Sequence, residues 1–178
     1  MRPPTRRDVI KGDSDAHFDQ GESPMTSTAR IQLALNVDDL AEATDFYTRL
    51  FGTPPHKERD GYANFAVADP PLKLVLIENP GAGERLNHLG IEASTSEDVA
   101  AALARFRDVG LDTTLAEHDV CCHALQDKVF VTAPDVPLGW WEYYSVTDDN
   151  PDNPGGDTTS VCAVNCAAQD TKDGNCCS

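Results

Sequence analysis

Apolar and polar residues alternate along the chain in an order that predicts strands and helices in a fixed succession. Ile31–Val37 carries an apolar side chain at every second position, which is typical of a strand. Asp38 or Asp39 then caps a helix whose apolar positions recur at helical spacing over Leu40–Phe51, and Gly52 ends it. Three more strands are predicted after it: His56–Arg59, Tyr62–Ala68 and Leu72–Ile77.

The same succession then repeats. Asn87–Ala93 reads as a strand, Ser94-x-x-Glu97 fits a capping box, and the helix that follows ends at Gly110. Strands are predicted next at Thr113–Glu117, Ala124–Thr132 and Trp141–Val146. The pattern therefore predicts an α+β fold of two tandem βαβββ modules, about residues 30–80 and 86–146. Superposing the first strands of the two modules places Gln32 opposite His88.

The two ends of the chain differ from this domain, residues 30–146, in composition. Residues 1–29 are polar, without periodicity, and are predicted to form a disordered leader. Residues 147–178 are rich in Asp, Asn, Pro and Gly and are predicted to form a flexible acidic tail. We expect the thiols of this tail to be accessible: Cys162, Cys166, Cys176 and Cys177.

The charge and the cysteine placement narrow the function. A formal net charge of −16 repels phosphate, which argues against nucleic acid and anionic membrane surfaces as partners. No run of 18 apolar residues is present, so no transmembrane helix is predicted. The early arginines are not followed by an apolar segment, so no signal peptide is predicted. None of the six cysteines lies in residues 1–120, and two of their three clusters are adjacent pairs. This placement favours a reducing cytoplasm, with thiols kept for chemistry.

The segment with the clearest chemistry contains the adjacent cysteines Cys121 and Cys122, flanked by His118, Asp119 and His123. Neighbouring Cα atoms are about 3.8 Å apart, below the roughly 4.4 Å of a relaxed disulfide, so we expect both residues to remain thiols. Two thiolates on one short segment suit thiophilic ions such as Zn²⁺, Cu⁺, Cd²⁺ or trivalent arsenic. The alternative is that they are small buried apolar residues.

Several segments together resemble a known family. Two βαβββ modules with the helix ending Phe46-Tyr47-x-x-Leu50-Phe51-Gly52 look like the vicinal oxygen chelate superfamily, which includes glyoxalase I, extradiol dioxygenases and bleomycin resistance proteins. A closer resemblance is to the ArsI-type carbon–arsenic lyase family and its cadmium-induced relatives. The most specific part is the phrase Cys-Cys-x-Ala-x-Gln-Asp-Lys at residues 121–128. Four segments carry the resemblance: Arg30–Leu35, Gly61–Phe65 with Pro71–Leu76, Asn87–Gly90, and Cys121–Thr132, which contains this phrase.

This resemblance implies a fold and a site. In the superfamily the two modules form an open, cup-like mixed β-barrel around a divalent metal. Carried over to this chain, the metal ligands are Gln32, His88 and Glu142, and three ligands leave open positions as in Fe(II) oxygenases. Many members have His where Gln32 stands, and an amide oxygen is a weaker ligand than imidazole. Fe(II) is the implied cofactor, and another divalent metal remains open.

The resemblance implies an enzyme, with two alternatives. The first hypothesis is an Fe(II)-dependent dioxygenase that uses O₂ to cleave the carbon–arsenic bond of trivalent organoarsenicals such as methylarsonous acid, releasing arsenite. Cys121 and Cys122 would hold the arsenic. The alternative is a resistance protein that binds Cd or As(III) without turnover, aided by the tail thiols. A glyoxalase-like isomerase would need a carboxylate in Leu72–Ile77, which has none. A monomer and a homodimer are both compatible with the sequence.

Overall fold

The computed structural model describes residues 29–151. The predicted leader and tail lie outside this range, apart from residue 29 and residues 147–151. The first module comprises β1 Arg30–Val37, α1 Leu40–Phe51, β2 Lys57–Arg59, β3 Tyr62–Val67 and β4 Leu72–Glu78. The second comprises β5 Leu86–Glu92, α2 Ser96–Asp108, β6 Thr113–Cys121, β7 Ala124–Thr132 and β8 Trp140–Asp148. The two predicted βαβββ modules are thereby confirmed.

Within residues 29–151, all eight strands form one mixed sheet in the order β2-β3-β4-β1-β5-β8-β7-β6. Each module contributes four neighbouring strands, and β1 and β5 join the modules by antiparallel pairing. Within each half the first strand pairs in parallel with the last, β1 with β4 and β5 with β8. The sheet curves into the half-barrel expected for the α+β fold. The short strand β2 and the strand β6 lie at its two edges.

The alternation in β1 separates two faces, and the more polar face is the more deeply buried. Gln32, Ala34 and Asn36 are 4%, 0% and 7% exposed, whereas Ile31 is 47% exposed. The reason is the curvature: the polar positions line the inside of the cup. The apolar positions of β1 lie on the outer face, where α1 packs against them. An alternating strand with a buried polar face is the first sign of a functional interior.

The helices begin and end close to the predicted residues. Asp39 caps α1 by accepting a hydrogen bond from the Glu42 amide, and Gly52 ends it in the left-handed region at φ 67°. The capping box of α2 is one residue later than predicted. The Thr95 side chain, rather than that of Ser94, accepts a hydrogen bond from the Asp98 amide, and the Asp98 side chain accepts one from the Thr95 amide. Neither helix in residues 29–151 is long and apolar enough to cross a membrane.

The cysteine pair lies at the β6–β7 hairpin. β6 runs to Cys121, four residues beyond the predicted strand end, and resumes its pairing after a bulge between Ala116 and Asp119. Cys121 pairs with Ala124, so the turn consists of two residues, Cys122 and His123, at φ 53° and 62°. Two central residues with positive φ make a type I′ turn, where Asn and Gly are usual. The backbone of this turn is therefore strained.

Candidate metal and thiol site

Three side chains from β1, β5 and β8 meet on the inner face of the sheet. Gln32, His88 and Glu142 are each buried, with 4–6% exposure. The Gln32 Nε2 atom lies 2.8 Å from His88 Nε2 and donates to Glu142 Oε1 at 2.5 Å. His88 Nε2 and Glu142 Oε1 are 3.3 Å apart. The structure thus brings together the three residues that the resemblance implies as ligands, which we call the triad.

Gly90 explains why three side chains can converge here. Across the sheet, Gln32 pairs with Gly90, and Gly90 pairs with Glu142. A Cβ added at Gly90 would lie 2.8 Å from Glu142 Cγ and 3.4 Å from Gln32 Cβ. The missing side chain leaves the space into which the two flanking side chains lean. This cradle is the first observation that fits a bound ion.

His88 presents the ring nitrogen that a metal requires. Its Nδ1 lies 2.7 Å from Asn87 Oδ1. Because an amide oxygen only accepts hydrogen bonds, Nδ1 carries the proton and Nε2 keeps its lone pair. Asn87 is itself oriented by donating to Asn36 Oδ1 at 2.9 Å. A histidine held in this way by a second polar side chain is typical of metal sites.

The Gln32 amide can serve the same ion. Its Oε1 accepts a hydrogen bond from the Tyr144 hydroxyl, and its Nε2 faces His88 and Glu142. A half-turn of the amide exchanges its two ends, so that Oε1 faces the other triad members and Nε2 donates to Tyr144, whose hydroxyl also accepts. Burial, followed by the nearby carboxylates Glu92 and Glu142, raises the pKa of Tyr144, so this group stays a hydroxyl.

Glu142 remains ionised although it is buried. Burial alone would raise its pKa, but the charge of Lys128, the charge and hydrogen bond that His88 supplies when its ring is protonated, and a hydrogen bond from Gln32 hold that pKa well below its usual range. Lys128 is 0% exposed, and its Nζ lies 3.5 Å from Glu142 Oε2 and 3.7 Å from Asp119 Oδ2. Lys128 therefore faces one carboxylate oxygen and leaves the other to the triad.

The donor set is one imidazole, one carboxylate and one amide. Within residues 29–151, no group of three or more His, Cys, Asp or Glu side chains is arranged to hold a metal. The triad has two such side chains, and its third donor is Gln32. The donor set fits a divalent cation held by three protein ligands, given the space at Gly90, the His88 tautomer and the ionised Glu142. That the triad binds a metal remains a prediction.

The two cysteines differ in state and position. Cys122 has intermediate exposure, whereas Cys121 is disulfide-bonded and 5% exposed. Their Sγ atoms are 3.3 Å apart, so the bond does not join the neighbours, in line with the short Cα spacing. The expectation that both remain thiols is wrong for Cys121 here. Adjacency excludes a bond between the pair, but it does not by itself keep each residue a thiol.

Cys122 and the triad share one cavity. Cys122 packs against Ala34, Tyr62, Val75 and Ile77 inside the cup. The lining includes Gln32, His88, Glu142, Cys122, Asn64 and Gln126. Asn64 Oδ1 and Gln126 Oε1 are buried and have no hydrogen-bond partner among the described residues, so each can accept a bond from a ligand or a water. His118 is exposed, and Asp119 faces Lys128, so neither belongs to this lining.

Sequence reasoning missed three buried lysines near the cavity. Lys57, Lys73 and Lys128 are 7%, 8% and 0% exposed. Lys73 pairs with Glu92 at 2.8 Å, and Lys57 pairs with Asp149 at 2.6 Å. Lysine in a strand is normally read as a solvent-facing residue. The signal that was available is the position of each lysine in an alternation whose polar face is the buried one.

A comparison of the sequence with protein-family profiles shows to which superfamily the chain belongs. The profile of the Glyoxalase/Bleomycin resistance protein/Dioxygenase superfamily matches residues 30–150. The chain belongs to this superfamily. Among solved structures of related fold, homoprotocatechuate 2,3-dioxygenase from Arthrobacter globiformis shows 22% identity and a TM-score of 0.46, over 66% of this chain and 35% of the dioxygenase.

Two relatives within the superfamily have more specific names. The chain is 55% identical over 122 residues to the cadmium-induced protein CadI of Mycobacterium tuberculosis, covering 68% of this chain and 79% of CadI. It is 52% identical over 124 residues to a trivalent organoarsenical cleaving enzyme of Thermomonospora curvata, covering 68% of this chain and 80% of that enzyme. The resemblance to carbon–arsenic lyases and their cadmium-induced relatives is therefore confirmed as a similarity.

Proposed function

We propose that this protein is a cytoplasmic, Fe(II)-dependent dioxygenase that cleaves the carbon–arsenic bond of trivalent organoarsenicals. One observation carries the proposal: the side chain of Cys122 lines the same cavity as Gln32, His88 and Glu142. A thiol captures trivalent arsenic, and the triad suits a divalent metal. The 52% identity to a trivalent organoarsenical cleaving enzyme supports the same reaction.

The triad would hold the metal through His88 Nε2, a Glu142 oxygen and the Gln32 amide oxygen. Bound there, Fe(II) would supply the binding and activation of O₂, since three protein ligands leave positions open. The chain's own contribution is to keep the donors ready. Asn87 holds the proton on His88 Nδ1, Lys128 keeps Glu142 ionised, and Gly90 leaves room for the ion.

The cysteine pair, in its reduced form, would bind the arsenic. Two sulfur ligands about 2.3 Å from one ion and roughly at right angles lie about 3.3 Å apart. The Cys121 and Cys122 Sγ atoms are 3.3 Å apart with Cys121 disulfide-bonded, and this separation supports binding of one arsenic atom by the reduced pair. Pyramidal As(III) with two sulfur ligands keeps one further substituent, the organic group. Capture by this pair would bring that group to the cavity entrance beside Cys122.

The overall reaction balances with one O₂ and no further reductant. Methylarsonous acid and O₂ give arsenous acid and formaldehyde: the carbon loses four electrons, O₂ gains them, and arsenic remains trivalent. The substrate must itself be trivalent, because a pentavalent, oxygen-bound centre is hard and exchanges poorly with thiolates. Product release then requires water to displace the two thiolates from the arsenic.

Serine substitutions test the role of the thiols. With a non-thiol reductant and Fe(II), Cys121→Ser plus Cys122→Ser is expected to lose at least about 100-fold in turnover, because serine does not bind As(III) in water. Bound Fe(II) should stay at one per chain, since neither cysteine is in the triad. Full turnover by the double variant would refute the proposed binding of arsenic by the two cysteines.

A second candidate is a soft-metal resistance protein that binds Cd or As(III) without turnover. The 55% identity to a cadmium-induced protein favours keeping it. A chain ending at residue 151 separates the two readings, because it keeps β8 and Asp149 but lacks four of the six cysteines. The enzyme should retain turnover in this form. A binding protein should instead lose most of its Cd²⁺ stoichiometry.

A further inference from the structure

We propose that Lys57 is a positioning residue that fixes the cysteine-bearing turn over the cavity, so that the thiols meet the arsenic beside the triad. The inference rests on the proposed function, because it concerns capture of a trivalent arsenical. Lys57 belongs to β2, the edge strand of the first module, whereas Cys122 and His123 belong to the second. The thiol site would therefore be completed by both modules.

The contacts of the Lys57 ammonium support this role. Its side chain is 5% exposed. Nζ donates to the His123 carbonyl oxygen at 3.2 Å, to Asp149 Oδ1 at 2.6 Å, and to the Asp149 carbonyl oxygen. These bonds use all three ammonium donors. The ammonium thus ties β2 both to the turn after β6 and to the residue that follows β8.

The turn needs such a hold because its backbone is strained. Cys122 and His123 both have positive φ, without the Asn or Gly that this conformation favours. A strained, non-glycine backbone persists only where its surroundings over-determine it. The Lys57 bond to the His123 carbonyl is one determinant supplied from the other module. Without it, the turn can relax and carry the Cys122 sulfur away from the cavity.

Two other contacts define what Lys57 adds. The Tyr62 and His123 rings meet edge to face with centroids 5.2 Å apart, which keeps the turn close to the first module. Gln126 Nε2 donates to the Cys121 carbonyl at 2.9 Å, which supports the hairpin from within the second module. Ring contact tolerates sliding, whereas a hydrogen bond to a carbonyl sets a direction. Lys57 therefore adds, from the first module, a direction at His123 that the ring contact does not set.

The test measures arsenical affinity and metal affinity separately in the full chain. All proteins carry serine at the four tail cysteines, so that only the vicinal pair can bind: Cys162, Cys166, Cys176 and Cys177. Phenylarsonous acid is titrated by calorimetry without oxygen and with a phosphine reductant. Co²⁺ is titrated by quenching of tryptophan fluorescence, because the Trp140 ring lies 5.5 Å from the His88 ring.

Lys57→Met should raise the Kd for phenylarsonous acid about tenfold and leave the Kd for Co²⁺ within about twofold. Lys57→Arg should restore most of the affinity, because guanidinium also donates to both the carbonyl and Asp149. Arg59→Met is the matched control. Arg59 lies on the same strand and binds Asn150 at 3.1 Å without touching the turn, so its loss should leave both constants unchanged.

Wild-type arsenical affinity in a Lys57→Met protein that still binds Co²⁺ would overturn the inference. If that variant does not fold, Asp149→Ala decides, because it removes the Oδ1 partner that helps to hold the Lys57 ammonium against the His123 carbonyl, while it keeps the lysine. Asp149→Ala must raise the Kd for phenylarsonous acid by about threefold or more, and an unchanged Kd counts against the positioning role of Lys57. Failure of the parent protein to bind phenylarsonous acid would contradict the proposed function itself, and the role of Lys57 with it.

Discussion

Gly90 gives the sharpest perturbation of the triad. A Cβ there would lie 2.8 Å from Glu142 Cγ and 3.2 Å from the Glu142 carbonyl oxygen. Ordinary contact begins at 3.4 Å, so Glu142 Cγ must withdraw by at least 3.4 − 2.8 = 0.6 Å. Metal–ligand distances tolerate only about 0.2 Å. The required movement is therefore about three times what a metal site accepts.

Gly90→Ala should lower divalent-metal affinity by about 10–100-fold, the range seen when a ligand's support is altered. Stability should change much less. Replacing glycine in a strand gains about 0.5–1 kcal/mol, and overpacking costs about 1–3 kcal/mol, so the net loss stays within about 2.5 kcal/mol. The domain should remain folded while the metal site is displaced.

The assay is a Co²⁺ titration followed by tryptophan fluorescence, with urea unfolding as the measure of stability. Gly83→Ala is the matched control, because a Cβ at Gly83 meets nothing within 4 Å. It should bind Co²⁺ like the wild type. Equal Co²⁺ affinity in the Gly90 and Gly83 variants would refute the view that Glu142 and Gln32 converge on a metal across Gly90.

Three further predictions concern charge and protonation. Lys128→Met should destabilise the apo-protein by about 3–5 kcal/mol, because Glu142 loses the buried cation beside it, and urea unfolding should show Co²⁺ restoring more stability than in the wild type. In metal-free protein at neutral pH, Glu92→Gln should lower the free energy of unfolding by about 1–2 kcal/mol in the same assay. Burial raises the pKa of Glu92, but Lys73 and then Arg30 lower it by more, so that the folded protein holds Glu92 ionised. The stability that ionised Glu92 contributes is present above its unfolded pKa of about 4.3 and is lost as pH falls through the lower folded pKa. The wild type and the Glu92→Gln variant should therefore become equally stable in acid. A difference in their unfolding free energies that stays constant down to about pH 2 would contradict this assignment.

The order of the elements was predictable because each depends on local pattern. Alternation in Ile31–Val37 and helical spacing up to Gly52 need no tertiary information, and their repetition after residue 86 indicates two modules. The proximity of Gln32 and His88 was also predictable. Equivalent positions in the first strands of two paired modules come to the same face of one sheet, and their side chains meet at 2.8 Å.

The remaining features depend on long-range contacts that no local pattern encodes. The burial of Lys57 follows from the curvature that brings β2 to the cysteine turn and to Asp149, which lies 92 residues away in the chain. The disulfide-bonded state of Cys121 could not be predicted from the adjacent pair, because the short spacing excludes only a bond between the two neighbours. The shift of the α2 capping box by one residue reflects two adjacent residues, Ser94 and Thr95, that can both cap a helix.

Carbon–arsenic cleavage is tested most directly by following arsenic through one turnover. The protein is loaded with Fe(II) without oxygen, mixed with methylarsonous acid, and then exposed to air, and the arsenic species are separated by chromatography. We predict arsenite and formaldehyde in equal amounts, formed only when Fe(II) and O₂ are both present. Stoichiometric binding of methylarsonous acid with its carbon–arsenic bond intact would contradict the proposed enzyme and leave a thiol-based binding protein.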